Sequence, residues 1–125
     1  MKKLIFAFFG LLILALSSCK LPEDGKGTLV VRNENGDTNV EITKVFVWEK
    51  KTSGYNLVFT GSIKNDQSHF ISLDPGYYSI MITATTTALG IFSSSKNYDL
   101  YNIQEELKED KFLTVIFDGN GLYFE

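Results

Sequence analysis

The sequence predicts an all-β fold, a single two-layer antiparallel β-sandwich of about seven strands behind a cleaved leader and a short tether. Three observations carry that expectation. From Thr28 onward, short runs rich in Val, Ile, Thr, Tyr and Phe recur every 10–16 residues, as strands of a sandwich do. The gaps between them are Asn, Asp, Gly and Ser, residues that accept turn conformations. Within the runs, Tyr78, Ile80, Ile82 and Ala84 alternate with Ser79, Met81, Thr83 and Thr85, giving one face that can be buried.

Strands are expected near 28–33, 41–49, 55–63, 68–73, 77–85, 97–104 and 111–118. Asn33-Glu34-Asn35-Gly36-Asp37 supplies the first turn, where Asn-Gly tolerates positive φ. Lys51-Thr52-Ser53-Gly54 and Lys64-Asn65-Asp66-Gln67 each read as a hairpin closure. Asp74-Pro75-Gly76 is a strong turn, with proline presetting φ and glycine free to take φ > 0. Asn102-Ile103-Gln104-Glu105-Glu106-Leu107 carries a capping pattern and an i, i+4 apolar pair, so one helical turn is compatible after a strand ending near Gln104. Lys108-Glu109-Asp110-Lys111 then reads as a hairpin turn before the strand of Leu113, Val115 and Phe117.

The chain divides into 1–18, 19–27 and 28–125. Lys2 and Lys3 precede thirteen apolar residues, Leu4 to Leu16, and then Ser17-Ser18-Cys19. A basic start, a short apolar region and small residues before a cut describe a secretory signal peptide. A membrane span needs roughly 18 or more apolar residues, which this segment lacks. Leu16-Ser17-Ser18-Cys19 resembles the lipobox of bacterial lipoproteins. That resemblance implies cleavage between Ser18 and Cys19, a diacylglyceryl thioether and an N-acyl chain such as palmitate on Cys19, and residence at the cell envelope. The alternative is an ordinary cleaved signal that leaves the one cysteine free. Two or three acyl chains would hold the protein stably, where one chain binds only marginally. Lys20 to Gly27 mixes Pro, Gly and charge without periodicity and reads as a tether. Lys20 with Glu23-Asp24 loosely resembles the export signals of certain surface lipoproteins, so outer membrane or cell surface is the expected address.

Removing 1–18 takes the Lys and Arg count from 12 to 10 against 15 acidic residues, a formal charge of −5. A mildly acidic surface argues against nucleic acid, which needs clustered Lys and Arg. About 100 residues form one domain with a real core.

The succession TLVVRNEN, ITKVFVWE, GSIKNDQSHFISLDPGYYSIMI and FLTVIFDG resembles small sandwiches of the transthyretin-like or carboxypeptidase-regulatory-like type, within the broader Ig-like class. The likeness lies in the turn Asp74-Pro75-Gly76-Tyr77-Tyr78 after Ile71-Ser72-Leu73. It implies a fold with structural, adhesive or binding roles and transfers no catalytic residue.

Residues for catalysis are sparse, and no enzyme is expected. His69 is the one histidine, inside the strand-like run Ser68-His69-Phe70-Ile71, with no motif for a nucleophile beside it. No Cys/His cluster suits zinc, and no glycine-rich loop before a helix suits phosphate. Glu105-Glu106 and Glu109-Asp110 read as a solvated hairpin. Calcium is the least weak metal idea, from Asn33, Asn35, Asp37 and Asn39 with Asp118-Gly119-Asn120-Gly121. Hard cations want six to eight oxygens, and turn formation accounts for both stretches. No metal or other cofactor is expected.

Five residues are candidates for binding. Val45 and Val47 share one face of their strand, and Phe46 and Trp48 the other. The favoured placement of Phe46 and Trp48 is the core, with their face covered, for example by Leu122-Tyr123-Phe124. The alternative is an exposed aromatic pair for sugar stacking or a protein partner, with Tyr55 nearby. Thr85 to Lys96 is long for a hairpin connection, and Leu89, Ile91 and Phe92 are apolar within it. They either cap the sandwich or form an exposed contact tip. The expected function is therefore a lipid-anchored envelope protein with a non-catalytic binding or structural role toward an unknown protein or glycan. Alternatives are a carbohydrate-binding accessory module and an envelope enzyme inhibitor, which would insert residues 86–95 into its target, or, below these, an enzyme.

Overall fold

The structure is a computed structural model and describes residues 25–49, 54–101 and 103–125. The leader, Ser18, Cys19, the tether to Asp24, residues 50–53, which include most of the expected turn Lys51-Thr52-Ser53-Gly54, and Asn102 lie outside the described residues. Eight strands follow in order: β1 (Gly27–Asn33), β2 (Val40–Glu49), β3 (Asn56–Ile63), β4 (Ser68–Leu73), β5 (Tyr78–Ala88), β6 (Phe92–Leu100), β7 (Phe112–Phe117) and β8 (Leu122–Phe124). They form two four-stranded sheets, β4-β1-β7-β8 and β3-β2-β5-β6, packed face to face. The all-β sandwich read from the sequence is the fold.

The alternation in β5 does what its period requires. Tyr78, Ile80, Ile82 and Ala84 are buried between the sheets, facing Leu29 and Val31 of β1 and Leu113, Val115 and Phe117 of β7. In β2, Ile42, Val45 and Val47 are all buried although 42 and 45 differ in parity. A register shift between Ile42 and Lys44 reconciles them: one extra residue, Thr43, turns the chain over. Burying these side chains stabilises the fold by about 1.5–3 kcal/mol each. Among the described residues, every buried member of the core lies from Leu29 to Leu122.

Several local expectations are corrected. The strand count rises from seven to eight because Leu122–Phe124 pairs with β7 at the edge of its sheet. The chain end therefore does not cover Phe46 and Trp48. The turn 64–67 is present but joins β3 of one sheet to β4 of the other, so it is an inter-sheet corner rather than a hairpin. Strand β6 runs over Phe92–Leu100 rather than 97–104, and among the described residues no helical turn follows it. Instead, residues 103–111 cross back between sheets, plugging Ile103 and Leu107 into the core. Leu107 exchanges two backbone hydrogen bonds with Gly76, at 2.9 and 2.8 Å. That crossing delivers β7 to the free side of β1 running in the same direction, so β1–β7 is a parallel pair among otherwise antiparallel neighbours.

The topology gives the sandwich two ends. At the entry end lie Gly25 and Gly27, the turn 73–77 and the crossing 103–111. At the distal end lie the turns 33–40, 64–67 and 118–121 and the β5–β6 turn 89–91.

Candidate functional site

The distal end is held by a network that starts at Asn33, a fully buried polar side chain. Its Nδ2 donates to the carbonyls of Ile63 at 2.9 Å and Val40 at 3.2 Å, tying β1 to the opposite sheet. Its Oδ1 accepts the Asn35 backbone N–H at 3.2 Å. The Oδ1 of Asn35 accepts from Asp37 N, and that of Asp37 from Asn39 N. In the neighbouring turn, Asp118 Oδ1 accepts from Asn120 N and Gly121 N at 2.8 and 2.9 Å. These side chains shape turns by bonding the backbone just ahead of them. The two oxygen-rich segments noted for calcium do meet, since Gly119 lies against Asn35. No group of three His, Cys, Asp or Glu that could hold a metal ion exists among the described residues.

Thr85 to Lys96 is not a loop. β5 continues to Ala88 and β6 begins at Phe92, paired in register through Ala88↔Phe92, Thr86↔Ser94 and Ala84↔Lys96. The pairing of β5 with β2 stops at Thr86. Beyond it the two strands continue as a two-stranded ribbon that overhangs the sandwich. Its turn places Leu89 at φ 55° and Gly90 at φ 67°, with Ile91 N donating to Ala88 O at 3.2 Å. This is a tight hairpin turn with both central residues left-handed. Leu89, Ile91 and Phe92 are 87, 81 and 66 % exposed, so they form an exposed tip and do not cap the sandwich.

Beneath the tip, between the ribbon and the turns 33–40 and 118–121, opens a cleft of about 440 Å³. Thr86, Ser94 and Lys96 form the ribbon wall, and Asp37, Asp118 and Asn120 stand opposite. The floor is Tyr98 against Phe117, ring centroids 4.8 Å apart, with Lys96 Nζ 5.2 Å from the Tyr98 ring. The cleft thus carries both signs of charge over an aromatic base. Lys96 and Tyr98 were missed by sequence reasoning, because nothing local links them to Asp37, 59 positions before Lys96, or to Asp118, 22 positions after it.

Phe46 and Trp48 are not core residues. They are half-buried on the outer face of the β3-β2-β5-β6 sheet, since Val45 and Val47 take the inner face. Trp48 meets Tyr55 at 6.2 Å with the rings tilted by 54°. Burial, with Tyr101 and Asp99 close by, pushes the Tyr55 phenol up to about 12, while Tyr101 donates to Asp99 at 2.9 Å. The tilt denies a flat two-ring platform. Trp48 pairs with Ser79, ten residues along β5 from Leu89, or about 33 Å. The structure therefore does not bring Phe46 and Trp48 together with Leu89, Ile91 and Phe92.

His69 lies on β4 with its ring 4.2 Å from that of Phe59, closing one side of the sandwich between edge strands β3 and β4, outside the distal cleft. No family model, curated protein or solved structure matches the chain.

Proposed function

We propose that this chain is a lipid-anchored cell-envelope protein with a non-catalytic binding role, held through Cys19 and presenting its distal end to a partner. The observation that carries the reading is the position of its two ends. Gly25, where the described chain begins, belongs to the entry end, and the exposed Leu89, Ile91 and Phe92 project from the opposite one. Cys19 to Gly25 is seven residues, which span at most about 25 Å. β5 alone is eleven residues, about 36 Å. A tether that short keeps the entry end close to the anchoring bilayer, so a domain standing upright on it presents the tip away from that bilayer. Outer membrane or cell surface is the proposed location; the lipobox-like Leu16-Ser17-Ser18-Cys19 supports the envelope, and Lys20 with Glu23-Asp24 the surface. The transthyretin-like resemblance is part of the same proposal and rests on the Asp74–Tyr78 turn.

Palmitate labelling with protease treatment of intact cells tests this. The wild-type chain should incorporate label and remain membrane-bound, and Cys19→Ala should lose both. Label retained by Cys19→Ala would refute the anchor.

A second reading, a carbohydrate-binding accessory module, is favoured by Trp48 and Tyr55 on an outer sheet face with Leu57 and Tyr101 exposed beside them. It requires a change in Trp48 fluorescence on titration with a glycan, abolished in Trp48→Ala.

A further inference from the structure

Among the described residues, three non-glycine residues have positive φ: Asp66, Asp110 and Leu89. Aspartate tolerates the left-handed region, whereas a bulky leucine there is an outlier. Hairpin turns of this geometry favour Asn or Asp at the first central position, followed by Gly. Leu89, 87 % exposed, has almost no packing in the fold to offset the strain. Its side chain is explained by a contact outside the chain.

The composition of the ribbon says what kind of contact. Residues 82–95 carry no charge, and apart from the apolar tip the overhang is Thr, Ser and Ala. Protein-binding hot spots favour Trp, Tyr and Arg and are poor in Leu, Ser and Thr. The ribbon has the opposite composition. A lipid surface suits it: apolar tips enter the acyl boundary, hydroxyls stay among headgroups, and no charge has to be dehydrated.

We infer that the distal end binds zwitterionic phospholipid: Leu89, Ile91 and Phe92 enter the boundary between headgroups and acyl chains, and the cleft below receives a headgroup. Peripheral elements penetrate about 5–10 Å. Lys96 lies four residues from Phe92 along β6, about 13 Å back, so it stands at the headgroup level. Lys96 on one wall and Asp37 and Asp118 on the other match a headgroup that carries a phosphate and an amine. The free edges of the ribbon limit the depth, because unpaired backbone groups are costly in hydrocarbon. Which bilayer the tip meets rests on the lipid-anchor proposal; lipid binding by the tip does not.

The test is cosedimentation of residues 25–125, which contain every core residue among those described, with phosphatidylcholine vesicles and with vesicles containing phosphatidylglycerol. The expected result is binding to phosphatidylcholine, weakened at least about ten-fold by Leu89→Asn and by Ile91→Ser, the loss appropriate to one buried aliphatic side chain. Leu57→Ser, an exposed apolar residue on the outer sheet face, should bind like wild type. Phosphatidylglycerol should weaken binding, because Asp37 and Asp118 face the headgroups. Absence of vesicle binding, or binding that Leu89→Asn leaves intact, overturns the inference. So does self-association in the absence of lipid that Leu89→Asn abolishes, which would assign the tip to a second copy. Loss of the Cys19 anchor would change none of these results, so the two proposals fail separately.

Discussion

The side-chain amide of Asn33 donates to the carbonyl of Ile63 at 2.9 Å, so a fully buried group ending β1 grips the last residue of β3 in the other sheet. The same amide reaches Val40 O, where β2 starts. A buried carbonyl left without its donor costs about 1–3 kcal/mol. Asn33→Ala is therefore expected to destabilise the domain by about 2–3 kcal/mol, read as a lower urea midpoint. Trp48, the single tryptophan, is the reporter. Asn33→Asp should cost more, since a carboxylate cannot donate to Ile63 O.

At the other end, Gly27 is required by contact rather than by conformation. A Cβ there would sit 2.5 Å from Lys108 O and 2.6 Å from Leu107 Cγ. Gly27→Ala should destabilise by about 1–3 kcal/mol through overpacking. Leu107→Ala should cost about 2–5 kcal/mol through the cavity it opens. The double variant should fall short of the sum, because truncating Leu107 relieves one of the two clashes and leaves the backbone one. Strict additivity in thermal melts would show that the two sites do not touch.

The fold was legible where burial was one-sided. Tyr78, Ile80, Ile82 and Ala84 alternate because only one face of β5 meets the core, and Asp74-Pro75-Gly76 marks the turn before it. The ribbon was illegible for the converse reason: Thr86, Thr87, Ser93 and Ser94 are exposed on both faces, so no alternation betrays the strands and the run looks like a loop. Phe46 and Trp48 misled because size suggests burial, yet parity with Val45 and Val47 already put them on the second face. The tip residues could be named from sequence as apolar side chains among polar ones. The cleft could not, because Asp37, Lys96 and Asp118 converge only through the sheet topology.

Alkaline titration should expose the buried phenols. Tyr78 is pushed up to about 12, first by burial and then by Glu49 and Asp74, and its hydroxyl donates to the backbone oxygen of Asp74. A phenol whose pKa is raised on folding contributes its full stability below the unfolded value near 10 and loses it as pH climbs toward 12. Phenolate absorbance should therefore show late ionisation coupled to unfolding between about pH 10 and 12. Tyr78→Phe should remove one late step, leave that of Tyr55, and flatten this part of the stability curve. At neutral pH it should cost about 0.5–1.5 kcal/mol for the lost hydrogen bond. A titration in which every phenol ionises near 10 with the fold intact would contradict the packing of this corner.

Leu89→Asn should make the domain more stable. The residue is left-handed at φ 55° and followed by Gly90 at φ 67°, the conformation that Asn-Gly prefers. Almost none of its side chain is lost from the core, so relief of strain dominates. A gain of about 0.5–1 kcal/mol is expected, and a domain of this size responds by roughly 4–8 °C per kcal/mol in Tm. Leu89→Gly should be no less stable than wild type, because the positive φ costs glycine nothing while the flexible residue adds entropy to the unfolded chain. A stability gain together with a loss of vesicle binding in the same variant would mark Leu89 as a residue kept for contact at the expense of the fold. A fall in Tm would instead show that Leu89 packs against the domain, and the distal tip would lose its claim to be a binding element.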